Sequence, residues 1–154
     1  MKHLINFVLF FITCDSLAQN KLLYEPPPSG KARLFFLRDF YHPRARTIDL
    51  SKRPIFINEK LILVLKDKRY TYIDIEPGTY VLSTQPFGKK YNTARAEKKV
   101  ITAQEGSIYY FEVTDDLFDA LSHTSFIVDR TARKFEIIIN AKRTRYLKYS
   151  NLKN

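Results

Sequence analysis

The feature that most constrains this chain is a series of short β-rich runs, each about one strand long and each ended by turn residues. "ARLFFLR" (32–38), "PIFIN" (54–58), "LILVLK" (61–66), "RYTYIDI" (69–75) and "TYVLST" (79–84) come first. "ARAEKKVIT" (94–102), "SIYYFEV" (107–113), "SFIVDR" (125–130) and "KFEIIIN" (134–140) follow. β-Branched and aromatic side chains fit a pleated, half-buried surface, and many such runs in succession imply a sandwich or barrel. The expected fold is therefore mainly all-β: a single antiparallel β-sandwich domain over residues 31–140 with one short helix. That helix is expected at "DDLFDALSH" (115–123), where Asp115 and Asp116 suit an N-terminus and Leu117, Phe118 and Leu121 make an apolar stripe. At 154 residues the chain is long enough for one hydrophobic core, and no internal repeat divides it.

Two turns can be read from residue chemistry. In "YTYIDIEPGTYVLST" (70–84), Pro77 presets φ for the second position of a type I or II turn, and Gly78 accepts the positive φ that type II requires next. The flanking runs look like a hairpin, and Pro77 and Gly78 are read as a structural turn with no ligand. Asn58-Glu59-Lys60 is read as a second tight reversal. In "SIYYFEV", Tyr109, Phe111 and Val113 share one face, while Ile108, Tyr110 and Glu112 share the other, which Glu112 marks as the wetter.

The ends differ from the middle. Residues 1–18 have the order of an export signal: basic "MKH", ten apolar-rich residues "LINFVLFFIT", then the small-x-small site "SLA" ahead of Gln19. Cleavage there gives an exported protein, periplasmic or secreted. Lipidation of Cys14, the only cysteine, is the alternative, although Phe11 and Thr13 fit a lipobox poorly. Residues 19–30, "QNKLLYEPPPSG", read as a Pro-rich tether, and 141–154 as a basic C-terminal tail.

Little in the sequence points to catalysis. With four glycines and no GxGxxG or GxxxxGK[ST], nucleotide cradles are not expected. His42 and His123 lack metal-ligand spacing, so no metal and no cofactor is expected. Ser122 or Ser125 with His123 and Asp119 makes a triad only on paper, without a nucleophile elbow. The tyrosines at 70, 72, 80, 91, 109 and 110 suit core and cross-strand packing better than a sugar platform.

Charge is the one feature beyond ordinary composition. The formal net charge is +10, and Lys2 cancels Asp15, so export does not change it. From Arg130 to Asn154 eight cations stand against Glu136 alone. Lys142, Arg143, Arg145 and Lys148 are the candidate contacts for an anionic envelope component or membrane surface. An exported protein does not meet nucleic acid, so that partner is not expected.

"FINEKLILVLKDKRYTYIDIEPGTYVLST", followed by "GSIYYFEV", resembles the bacterial domain-of-unknown-function family 2846 over residues 31–130. The shared features are a Val-Asn-Gly-Lys-like turn, a "V-x-P-G-x-Y" strand and a late "G-x-x-Y-Y-x-x-V". The Pro-Gly segment is also distantly similar to PEGA-type surface domains. Glu59 stands where a turn glycine is usual. The resemblance implies an exported or lipid-anchored bacterial β-sandwich and brings no catalytic residues. The expected function is a non-enzymatic binding or scaffolding role at the cell envelope; the alternative is a hydrolase of envelope polysaccharide or peptidoglycan.

Export makes a direct prediction. Mass spectrometry of the processed protein should find Gln19 at its N-terminus, and a bulky residue in place of Ala18 should block processing. A lipid on Cys14 is the opposing result.

Overall fold

A computed structural model describes residues 22–39, 52–85, 97–115, 125–142 and 145–146. The strands are β1 (Ala32–Arg38), β2 (Lys52–Ile57), β3 (Lys60–Lys66), β4 (Arg69–Ile75) and β5 (Gly78–Thr84), then β6 (Lys98–Ala103), β7 (Ile108–Asp115), β8 (Ser125–Arg130) and β9 (Arg145–Tyr146). Residues 22–24 are helical, and a longer helix, α1 (Ala132–Lys142), lies between β8 and β9. A five-stranded sheet runs β8-β7-β1-β4-β9, and a four-stranded sheet runs β3-β2-β5-β6.

The two sheets share one apolar core. Leu34, Phe36, Ile73, Phe111 and Val113 of the first meet Ile55, Leu63, Leu65, Leu82 and Ile101 of the second. The chain is thus a mainly β sandwich, as its runs imply. Most pairings are antiparallel, but β1 with β7 and β4 with β9 are parallel.

The four-stranded sheet covers one face of the five-stranded sheet, and α1 covers the other. Phe35, Leu37, Tyr70 and Tyr110 point away from the second sheet and cluster with Phe135 and Ile139 of α1 and with Leu23. The Phe35 ring stacks on Tyr110 at 5.4 Å, and Phe135 packs edge-on to Tyr70 at 6.1 Å. This corrects the reading of the Tyr110 face as the wet one: it is roofed by a helix, and its Glu112 accepts a 2.6 Å hydrogen bond from Arg130 Nε.

That roof is also where "KFEIIIN" differs from expectation. Three consecutive isoleucines read as strand, yet residues 132–142 are helical. Thr131 Oγ1 accepts from the Lys134 amide at 3.2 Å, capping the helix start. Phe135 and Ile139, four apart, fall on the buried face. Packing under the sheet outweighs the modest helix propensity of Ile. The helix expected at 115–123 lies outside the described residues except for Asp115, which ends β7 instead of starting a helix.

The Glu-Pro-Gly segment is a corner of another kind. β4 belongs to the five-stranded sheet and β5 to the four-stranded one, so the two runs are not a hairpin. The chain arches between sheets here and again at Asp67-Lys68. Gly78 has φ 156°, far from the value of about +80° in a type II turn. The Tyr80 hydroxyl donates to the Glu76 carbonyl at 2.9 Å, and Lys31 pairs with the Glu76 carboxylate, fixing the arch. The other reversal is a true hairpin. Ile57 pairs with Lys60, and Asn58 and Glu59 have φ 49° and 66°, the two positive values of a type I′ turn.

Residues 22–30, expected as part of a tether, are held against the domain. Leu23 is wholly buried, and its carbonyl accepts from the Tyr110 hydroxyl. Arg33 Nη1 donates to the Glu25 carbonyl at 3.1 Å, and the Gly30 amide donates to Glu105 at 2.8 Å. Extended Pro26-Pro27-Pro28 suits a strap that crosses a surface without joining a sheet.

Two variants test this architecture. Leu23→Ala should cost about 2–5 kcal/mol, the range for a truncated core leucine, whereas a tether residue would cost almost nothing. Asp67→Ala should cost about 1.5–3 kcal/mol, because Arg38, fully buried, donates Nε to Asp67 at 2.7 Å and would lose that charge-assisted hydrogen bond. Denaturant unfolding measures both; wild-type stability in either variant contradicts the packing described.

Candidate functional site

The strand directions gather positive charge at one end of the sandwich. β1, β3, β5 and β7 finish at this end, and β2, β4, β6 and β8 begin there. The turn from β3 to β4 reads Lys66-Asp67-Lys68-Arg69. Its single acid turns inward to Arg38, leaving Lys66 and Lys68 on the exposed surface and Arg69 half-buried. Lys68 holds φ 52°, a left-handed conformation that closes the two-residue arch.

The C-terminal cations come to the same place. β9 pairs with β4 in parallel register, Arg69 opposite Arg145 and Tyr70 opposite Tyr146. Lys142 ends α1, which reaches this end from the opposite one. Of the four candidate contacts, Lys142 and Arg145 are therefore carried on regular elements of the domain. Arg143 and Lys148 lie outside the described residues. The expected boundary at 140/141 falls inside α1, so the basic segment begins as part of the helical roof.

Lys66, Lys68 and Arg69 were not among the sequence candidates. Their run of charge is visible in the sequence, but its closeness to residue 145 depends on a two-residue pairing that no local pattern announces. Arg53, 2 % exposed, also lies at this end and donates Nη1 to the Lys52 carbonyl at 2.8 Å. It belongs to the interior.

Elsewhere, several described acids are matched to cations. Asp74 takes Arg33 Nε at 2.7 Å and Nη2 at 3.1 Å, and the same guanidinium lies 4.2 Å from the Tyr72 ring centre. Hydrogen bonding to Asp74 holds Arg33 above the usual arginine range. Asp129 pairs with Lys99, and Glu59 with Lys98 at 3.1 Å. The Arg33–Asp74 pair joins β1 to β4, and the other two are exposed pairs at the surface, with carboxylates facing cations. Beneath α1, burial pushes Tyr70 and Tyr110 up to about 12, so their phenols hold their protons to a higher pH than exposed tyrosines do. Among the described residues, cations gather at the rim, in Lys66, Lys68 and Arg69, and on the outward side of α1, in Arg133 and Lys134.

Several candidates from the sequence lie outside the described residues: Cys14, His42, Tyr91, Asp116, Asp119, Ser122 and His123. Among the described residues no three His, Cys, Asp or Glu side chains come together as metal ligands. No helix among them is long and apolar enough to cross a membrane. Pro77 and Gly78 sit at the inter-sheet arch, remote from the basic end.

A search of the curated proteins finds no match to this chain. Residues 28–125 match the family model described as "Protein of unknown function (DUF2846)". The match begins within the docked strap and runs through β7 to the start of β8, taking in the inter-sheet core, the type I′ hairpin and the Pro-Gly arch. With well over half of its length covered, the chain belongs to this family of proteins of unknown function.

Proposed function

We propose that this protein is an exported bacterial β-sandwich domain with a non-enzymatic binding or scaffolding role, attaching to an anionic component of the cell envelope through its basic end. The observation that carries this reading is the β4–β9 register, which sets Arg145 opposite Arg69 and beside the Lys66-Asp67-Lys68 turn. A loose cationic tail is attracted to an anionic surface but loses conformational freedom when it binds. Cations on paired strands and a helix are already arrayed and lose less. The inward turn of Asp67 adds to the effect, because the one acid in the turn faces Arg38 instead of the surface.

The chemistry of the described carboxylates supports binding over hydrolysis. General acid–base hydrolysis needs two carboxyl groups facing a common space with their pKa values held apart. Asp67, Asp74 and Glu112 instead each receive a hydrogen bond from an arginine Nε. That arrangement holds strands in register.

The test is a salt-dependent binding measurement. The processed protein should bind vesicles containing phosphatidylglycerol, or an acidic polysaccharide, at low salt and release as ionic strength rises. Replacing Lys142, Arg143, Arg145 and Lys148 together with Gln removes about 4 kcal/mol of surface attraction, roughly a thousandfold in affinity. The melting temperature should stay at the wild-type value. Unchanged binding would make the charge a solvated face only, and unfolding would assign those side chains to the fold.

A further inference from the structure

The outward side of α1 has a composition that packing onto the sheet does not require. Phe135 and Ile139 face inward. Arg133, Lys134, Ile137, Asn140 and Ala141 are exposed, and their spacing puts them on one helical face. A solvated helix face ordinarily mixes both signs of charge and keeps isoleucine out. This one carries two cations, no acid in its first turn, and an isoleucine 50 % exposed. The nearest acid, Glu136, is half-buried and accepts a 2.7 Å hydrogen bond from the Tyr24 hydroxyl. That bond pins Tyr24, itself 52 % exposed, against the helix. Two cations, an aliphatic side chain and an amphipathic ring on one surface match the zones of an anionic bilayer interface.

The path of the chain points to the same face. The strap climbs from Gly30, tied to Glu105 at the far end of the sandwich, to Leu23 beneath Tyr110 and Tyr24 beside α1. The polypeptide therefore enters the domain across the helical roof. The apolar run Leu4–Thr13 lies nine residues before Leu22, a span of about 30 Å when fully extended. Whatever holds that run at a membrane during export, or holds Cys14 there afterwards, brings this side of the domain close to the lipid.

We propose that the outward face of α1, with Tyr24 beside it, is a docking surface for an anionic phospholipid bilayer. Arg133 and Lys134 meet lipid phosphate groups, while Ile137 and Tyr24 sink to the boundary of the acyl region. This rests on the reading of the protein as one that binds anionic surfaces, and narrows it to a bilayer and a particular face. The cations of the basic end, at the rim of the same roof, draw the domain in from a distance; the apolar pair gives it a seated orientation.

The chain has no tryptophan, so one introduced indole reports on its own position alone. Ile137→Trp places it on the proposed face. Val100→Trp, at a site 67 % exposed on the outer side of the four-stranded sheet, places it on the opposite one. Each variant, purified as the cell processes it and checked for wild-type circular dichroism and melting, is mixed with vesicles of phosphatidylglycerol and phosphatidylcholine. Parallel samples hold phosphatidylcholine alone or dissolved alginate. Asn140→Trp, on the same helix face, serves if Ile137→Trp fails to fold. The expected result is a blue-shifted emission, quenched by brominated lipid, for Ile137→Trp on anionic vesicles and none for Val100→Trp. Arg133→Gln with Lys134→Gln should weaken vesicle binding roughly thirtyfold.

Co-sedimentation without any change at the indole of Ile137→Trp would overturn this docking face and leave the attachment reading standing. A shift in Val100→Trp alone, or binding to alginate but not to vesicles, would likewise overturn it. Failure to bind any anionic surface would remove both readings.

Discussion

The structure depends on a single strand buried from both sides. Every residue of β1, Ala32–Arg38, is buried, and its side chains alternate between two cores. Leu34 and Phe36 enter the space between the sheets, and Phe35 and Leu37 enter the layer beneath α1. Neighbouring phenylalanines thus anchor opposite faces of one sheet, as a pleated strand requires. A strand covered on both sides reads as a continuous apolar run, and "LFFL" is such a run. It also needs a second cover. The four-stranded sheet supplies one, and α1 with the Leu23 strap supplies the other.

From that constraint the functional surface follows. Because the five-stranded sheet must be roofed, the segment after β8 folds back as a helix instead of continuing as a strand or trailing away. The helix buries Phe135 and Ile139 and thereby turns Arg133, Lys134 and Ile137 outward. Running from one end of the sandwich to the other, it delivers Arg145 to the position opposite Arg69. The C-terminal cations up to Lys142, together with Arg145, are in this way carried on elements of the domain. In the aromatic layer beneath, burial raises both Tyr70 and Tyr110 to about 12. The cationic outer face and the packed aromatic layer beneath it are two results of the same roof.

How far this could be read in advance depended on the range of the interactions involved. Strand runs were legible because alternation and β-branching are local, and the Asn58-Glu59 reversal because tight turns are chosen by their own residues. Whether a turn joins hydrogen-bonded neighbours or arches between sheets is not local: Pro77-Gly78 has the chemistry of a turn in either case. The "EIII" of α1 misled for the same reason, since β-branched residues favour strands until a buried face at spacings of three and four outweighs them. Leu23 gave no signal, lying beside three prolines that suit a linker as well as a strap. The basic C-terminal residues were legible as charge. Their partners at Lys66, Lys68 and Arg69 were not, because only the β4–β9 register joins them.

The central claim is that the roof and the sandwich form one cooperative unit around β1, and native-state hydrogen exchange tests it most directly. The amides of α1 from Phe135 onward should share the opening free energy of the β1 amides, because exposing the inner face of the helix also exposes Phe35 and Leu37. The two sets should also respond equally to small additions of denaturant. Exchange of the α1 amides through a much cheaper opening, with β1 still protected, would show that the helix is an accessory to the fold and contradict the account.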